Sequence, residues 1–231
     1  MINTARLHSD LSLLGRETDM FLATVSSLSD AEMAAASLCE GWSRADVIAH
    51  VASSGRALVN LIDGAVSGEE RELYASHEAR SQDSDLASLP REELLKELRE
   101  SARNFAERAQ RLNAELAAQD VNVNGKVIPA TSIVALRIAE VVVHHHDLDT
   151  AWTIEEADPD SLLNAIEAVV RSLRAKGAPG MTLVTEERDE WVIGDGALHV
   201  TSDREGLLQW LARGEAEHIE ANGLLPALPS W

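Results

Sequence analysis

The chain of 231 residues has one cysteine, Cys39, so an internal disulfide framework is excluded. A lone thiol reacts only where its surroundings activate it, and Cys39 reads first as a small buried hydrophobe beside a helix. Aromatic residues are scarce, only eight, and five of them are Trp. Basic residues are few, 20 Lys and Arg against 39 Asp and Glu, for a formal charge of −19. That balance repels phosphate backbones and anionic headgroups, so neither nucleic acid nor a membrane is an expected partner. No uncharged run approaches the ~20 residues of a membrane span. Acids interrupt the amino-terminal stretch MINTARLHSDLSLLGRETD where a signal peptide needs an apolar centre. A cytoplasmic monomer or small homo-oligomer acting on small molecules is expected. Internal repeats and low-complexity tracts are also lacking.

What is present is an ordinary globular composition, 45% hydrophobic and 26% charged, able to bury a core. Leu7, Leu11, Leu14, Phe21 and Val25 recur at helical spacing and predict a helix over residues 3–28. Ser43 and Asp46 have the spacing of a capping box, which opens a second helix running to about residue 63 and stopping near Gly64. Residues 66–90 are polar and turn-rich, a long surface connection of the kind that often carries function. A third helix is expected over 91–119, with Leu94, Leu98, Phe105 and Leu112 on one stripe. Asn124-Gly125 within VNVNGKVIPA suggests a hairpin or turn, and a fourth helix follows over 131–152. Four helices with these links match a four-helix bundle over residues 1–153. Beyond Asp158-Pro159 come a helix over 160–176, three short strands, a helix over 204–213 and a Pro-punctuated tail. The fold class is therefore α plus α/β, with a smaller carboxy-terminal α/β domain over 154–231.

The fourth helix is apolar except for Arg137, Glu140, three consecutive histidines and Asp147. Glu140 and His144 are one turn apart and share a face, so both side chains can converge on one ion. His50 sits mid-helix in VIAHVASS, where an unsatisfied imidazole costs roughly 1 to 3 kcal/mol. It is either a satisfied core histidine or a ligand. Two imidazoles and a carboxylate suit Zn²⁺ with an open fourth position, the arrangement catalytic zinc requires. Asp147, seven residues after Glu140, is a further ligand or the carboxylate that orients a ligating imidazole. His145 and His146 point elsewhere on the helix, and a weak surface chelator is the alternative for them. Arg137 is either an intrahelical partner of Glu140 or a substrate contact.

Several segments, EGWSRADVIAHVASSGRALVNLI, LYASHEAR, VIPATSIVALRIAEVVVHHHDLD, LLQWLARGE and LPALPSW, resemble in order the mycothiol-dependent maleylpyruvate isomerase family. The amino-terminal half of that family is a DinB-like bundle, and the resemblance runs from about residue 5 to the end. It implies that His50, Glu140 and His144 bind zinc or another divalent metal. It also implies that Arg213, in WLARG, is the second-domain arginine associated with activity, and that Tyr74 and Arg80 line a thiol pocket. The implied reaction converts maleylpyruvate to fumarylpyruvate by reversible addition of a thiolate to the double bond. Mycothiol is the first cosubstrate to expect, with ergothioneine or bacillithiol as alternatives. The nearest rival is an S-transferase that conjugates such a thiol to a small electrophile. A second rival is a non-catalytic metal-binding or regulatory module on the same bundle.

Overall fold

The computed structural model describes residues 4–74, 83–112, 116–123 and 125–229. Four long helices form the amino-terminal part: α1 (Thr4–Ser27), α2 (Arg44–Ser67), α3 (Arg91–Ala109) and α4 (Ser132–Asp147). A one-turn helix, Asp30–Met33, and a helical stretch over residues 83–87 interrupt the connections. The hairpin β1 (Asp120–Val123) and β2 (Lys126–Pro129) turns at Gly125, whose φ of +84° a side chain rarely tolerates. A smaller part follows, with α5 (Pro159–Ala175), β3 (Met181–Thr185), β4 (Glu190–Ile193), β5 (Leu198–Ser202), α6 (Arg204–Arg213) and β6 (Glu220–Ala221). Its sheet runs β4-β3-β5-β6, with β3 and β5 parallel and the other pairs antiparallel. The two-residue strand β6, which carries no periodicity to read, adds a fourth strand to the three expected.

Local chemistry explains the helix ends. Ser43 accepts from the Asp46 amide while Asp46 accepts from the Ser43 amide at 2.8 Å, the capping box that starts α2. Asp158 caps α5, whose first residue is Pro159, and Asp203 caps α6. Gly64 does not stop α2. A Cβ there would lie 2.8 Å from the Glu69 carbonyl oxygen, so this glycine serves a close approach, and the helix runs one turn further to Gly68 at φ +79°.

Two helices are shorter than their propensity suggests. α3 stops at Ala109, and the chain after residue 115 returns along α2, where the Ala118 amide donates to the Ala65 carbonyl at 2.9 Å. α4 stops at Asp147. Arg44 donates to the carbonyls of Leu148 and Asp149, and Asp149 takes a left-handed φ of +50°. At the end of α4 these tertiary hydrogen bonds take the place of a further helical turn.

One continuous hydrophobic core joins the parts. Phe21, Ile48, Leu98, Val142 and Ile166 are all buried in it, and α5 packs along α4. The alternating residues Met181, Leu183 and Thr185 of β3, with Val200 and Ser202 of β5, face inward from the sheet. No described helix is long and apolar enough to cross a membrane.

Candidate active site

The structure brings His50 of α2 together with Glu140 and His144 of α4. Glu140 Oε2 lies 3.3 Å from His50 Nε2 and 3.6 Å from His144 Nε2. The three ligand atoms all fall within 4.8 Å of one another. A tetrahedral zinc with bonds of about 2.0 to 2.1 Å separates its ligands by about 3.3 Å, so the set has the right scale.

Glu140 Oε2 is buried and makes no well-formed hydrogen bond despite both neighbouring imidazoles. Such an oxygen is costly unless something else binds it. Burial pushes the Glu140 carboxyl up, but His50, His144 and Arg137 outweigh it and hold the group down at about 2, so it is ionised. Burial likewise disfavours charge on His50, yet Asp83 and Glu140 raise it to about 9 while no ion shares the site. The donor set and the orphaned oxygen fit a divalent cation.

The outward nitrogen of each imidazole is held by a carboxylate. His50 Nδ1 is 2.9 Å from Asp83 Oδ2, and His144 Nδ1 is 2.7 Å from Asp147 Oδ2. With Nδ1 donating, Nε2 presents its lone pair to the site, the orientation ligation requires. Asp83 was not foreseen from the sequence: it lies 33 residues from His50 inside the long polar connection, and no spacing rule links the two.

Asp147 is fully buried and doubly committed. Arg213, at the end of α6, donates to it from Nε at 2.7 Å and from Nη2 at 2.5 Å, and from Nη1 to the Ala212 carbonyl. Burial opposes the Asp147 charge, but Arg213 and His144 more than compensate and hold its carboxyl well below the usual range. Asp147 therefore stands behind His144. A second set with ligand spacing, Cys39, His144 and Asp147, would compete for those same carboxylate oxygens. Burial, then the charge of Asp147, pushes the Cys39 thiol up to about 11, with Arg213 pulling the other way. Cys39 stays protonated at neutral pH, and the first set is the better cation site.

The other residues singled out from the sequence separate. Tyr74 lines the cavity above the triad. Arg80 lies outside the described residues. Arg137, considered as a substrate contact, is 2% exposed and does not line that cavity. It donates to the Val51 carbonyl at 2.7 Å and to Ser54 Oγ at 3.0 Å, and its guanidinium sits over Phe105. Desolvation lowers its pKa to about 10. His145 is not part of a surface chelator: it is buried, stacks on Trp152 at 3.8 Å and meets Thr24 Oγ1 at 2.7 Å. Burial drives it down to about 3, so it is neutral. His146 lies 3.7 Å from Glu215.

The cavity holding the triad has a volume of about 1350 Å³. Its walls come from α2, α4 and the 38–42 loop on one side, and from α5, the end of α6 and the tail at 225–229 on the other. Trp42 packs against His50, with ring centroids 5.4 Å apart. The site thus pairs a cation-sized donor set with an apolar chamber large enough for two small molecules.

A family profile described as the mycothiol maleylpyruvate isomerase N-terminal domain matches residues 14–149. A crystal structure of a mycothiol-dependent maleylpyruvate isomerase is similar, with a TM-score of 0.83 and 26% identity, over 100% of both chains. A histidine-to-alanine mutant of that enzyme superposes with a TM-score of 0.82, again at 26% identity and 100% of both chains. No curated protein matches the sequence. The profile spans more than half of the chain, and the chain belongs to the mycothiol maleylpyruvate isomerase family.

Proposed function

We propose that the protein is a zinc-dependent cis-trans isomerase that converts maleylpyruvate to fumarylpyruvate with a low-molecular-weight thiol, mycothiol first, as cosubstrate. The observation that carries this reading is the convergence of one ligand atom each from His50, Glu140 and His144, all within 4.8 Å of one another, on the wall of a chamber that Arg213 also lines. His50, Glu140 and His144 would hold the ion, which when bound supplies the Lewis acidity that keeps a thiol ionised at neutral pH. Asp83 and Asp147 fix the two imidazoles with Nε2 toward the chamber. The carboxy-terminal domain from residue 154 contributes Arg213, which, forked on Asp147, retains N–H groups for a substrate carboxylate.

The reaction balances without a redox cofactor. Thiolate sulfur adds to one alkene carbon, the neighbouring carbon takes up negative charge shared with the ketone, and the former double bond rotates as a single bond. The carbanion then re-forms the double bond and expels the thiolate. No proton need leave the pair, and the thiol is regenerated. Cys39, held as a thiol, is not that nucleophile, which supports an exogenous one. Tyr74, which lines the same chamber, would contact the thiol body.

The test is loss of maleylpyruvate absorbance with metal-quantified protein and, in parallel, mycothiol, ergothioneine, bacillithiol, glutathione or no thiol. Turnover with one thiol and none without supports the reading. Full metal loading with no turnover by any thiol would refute isomerisation and direct the search to conjugation of another electrophile.

A further inference from the structure

Among the described residues, Arg171 and Lys176 bring positive charge to the chamber besides Arg213. On α5, Ala168, Arg171, Ser172 and Ala175 recur at helical spacing and line the cavity, so α5 turns one face to it. Arg171 is the charged member of that stripe. Its Nη1 is buried and has no hydrogen-bond partner, and no carboxylate among the described residues pairs with it. Arg213 differs: its Nε and Nη2 donate to Asp147 and its Nη1 to Ala212, so its charge is balanced within the protein. Glu40 and Glu140 add negative charge to the same walls, in a chain of net −19. Among the described residues that line the chamber, Lys176 has a partner of its own and Arg213 is paired with Asp147, so an anion entering meets in Arg171 a partly desolvated guanidinium that no described carboxylate offsets. A guanidinium presents a planar fork that matches a carboxylate.

We propose that Arg171 is a carboxylate-binding residue of the chamber, taking a carboxylate of the reacting acid or of a carboxylate-bearing thiol. The proposal rests on the isomerase reading for the identity of that acid, and not for the existence of the carboxylate site. Under that reading the substrate has two carboxylates: Arg213 meets one beside the metal ligands, and Arg171 meets the other from α5. Arg171 then sets both affinity and the orientation of the alkene.

Maleate, a cis dicarboxylate without the ketone arm, is the probe, and the fluorescence of Trp42 and Trp210, which both line the cavity, reports its binding. Arg171→Gln is expected to weaken maleate binding by tenfold or more, and Arg171→Lys to recover part of the loss as a charge without the fork. In turnover, a matching rise in KM for maleylpyruvate, with metal content and the KM for mycothiol held, assigns the carboxylate to the substrate. A rise confined to the KM of ergothioneine or bacillithiol assigns it to the thiol. Wild-type maleate affinity in a folded Arg171→Gln overturns the proposal whatever the turnover. A wild type that binds maleate through Arg171 but isomerises nothing leaves the carboxylate site standing and removes the isomerase reading. Should Arg171→Gln not fold, phenylglyoxal labelling of the wild type decides: maleate is expected to protect Arg171, and labelling at an unchanged rate overturns the site.

Discussion

Arg213 and Asp147, 66 residues apart, share a two-point ion pair directly behind the imidazole of His144. The end of α6 is thereby tied to the end of α4, and a change at Arg213 is felt at a proposed metal ligand. Arg213→Ala leaves a fully buried carboxylate short of its main partner, so stability should fall by about 3 kcal/mol. We expect the variant to keep bound metal and lose isomerisation by at least a hundredfold, with Arg213→Lys refolding the charge but not the fork. Turnover within twofold of wild type would remove Arg213 from the site.

Asp83 gives a parallel expectation on the other imidazole. Asp83→Ala removes the acceptor that fixes His50, and metal affinity should drop by roughly 10- to 100-fold. Competition against a zinc-binding chromophore measures it. An unchanged affinity would mean that the contact with His50 does not orient the ligand.

Metal uptake should depend on pH through His50. Its pKa in the metal-free fold is raised from 6.5 to about 9, so the stability its protonated form contributes is complete below 6.5 and lost as pH rises through about 9. Ligation needs the neutral ring, so metal affinity should climb across this window and binding near pH 8 should release close to one proton. Calorimetric titration in two buffers of different ionisation enthalpy reads that proton. Affinity that is flat from pH 6.5 to 9 would contradict the pairing.

Glu17 of α1 is buried against the start of α5, where Oε1 accepts the Asp158 amide at 3.0 Å. Desolvation, partly offset by that hydrogen bond, raises its carboxyl above 4.5. The sign is opposite to that of a paired acid: its contribution is complete below about 4.5 and lost as pH rises through the raised value. Glu17→Gln keeps the acceptor and removes the charge, so it should stabilise the protein at pH 7 to 8 by on the order of 1 kcal/mol. Denaturant unfolding at pH 5 and pH 8 checks this, and a variant less stable at pH 8 would refute it.

Legibility from the sequence followed the range of the interaction. Glu140, His144 and Asp147 share one helix, where spacing alone places them on neighbouring turns. The Ser43–Asp46 capping box is equally local, and so is the Asn-Gly turn of the hairpin. His50 stands out as an imidazole in an apolar helix; the chemistry of two imidazoles and a carboxylate suggests pairing it with α4, and family resemblance adds to that pairing. Asp83 and the fork between Arg213 and Asp147 depend on how distant segments dock, which no periodicity encodes. The same holds for Arg44, whose hydrogen bonds end α4 earlier than helix propensity suggests.

The most direct test of the central claim is mycothiol-dependent isomerisation of maleylpyruvate by wild type and His50→Ala, with metal content measured on the same samples. The account predicts about one metal ion per wild-type chain and turnover that requires mycothiol, with both lost in His50→Ala. Wild-type turnover that persists without thiol, or His50→Ala turning over at the wild-type rate, would contradict it.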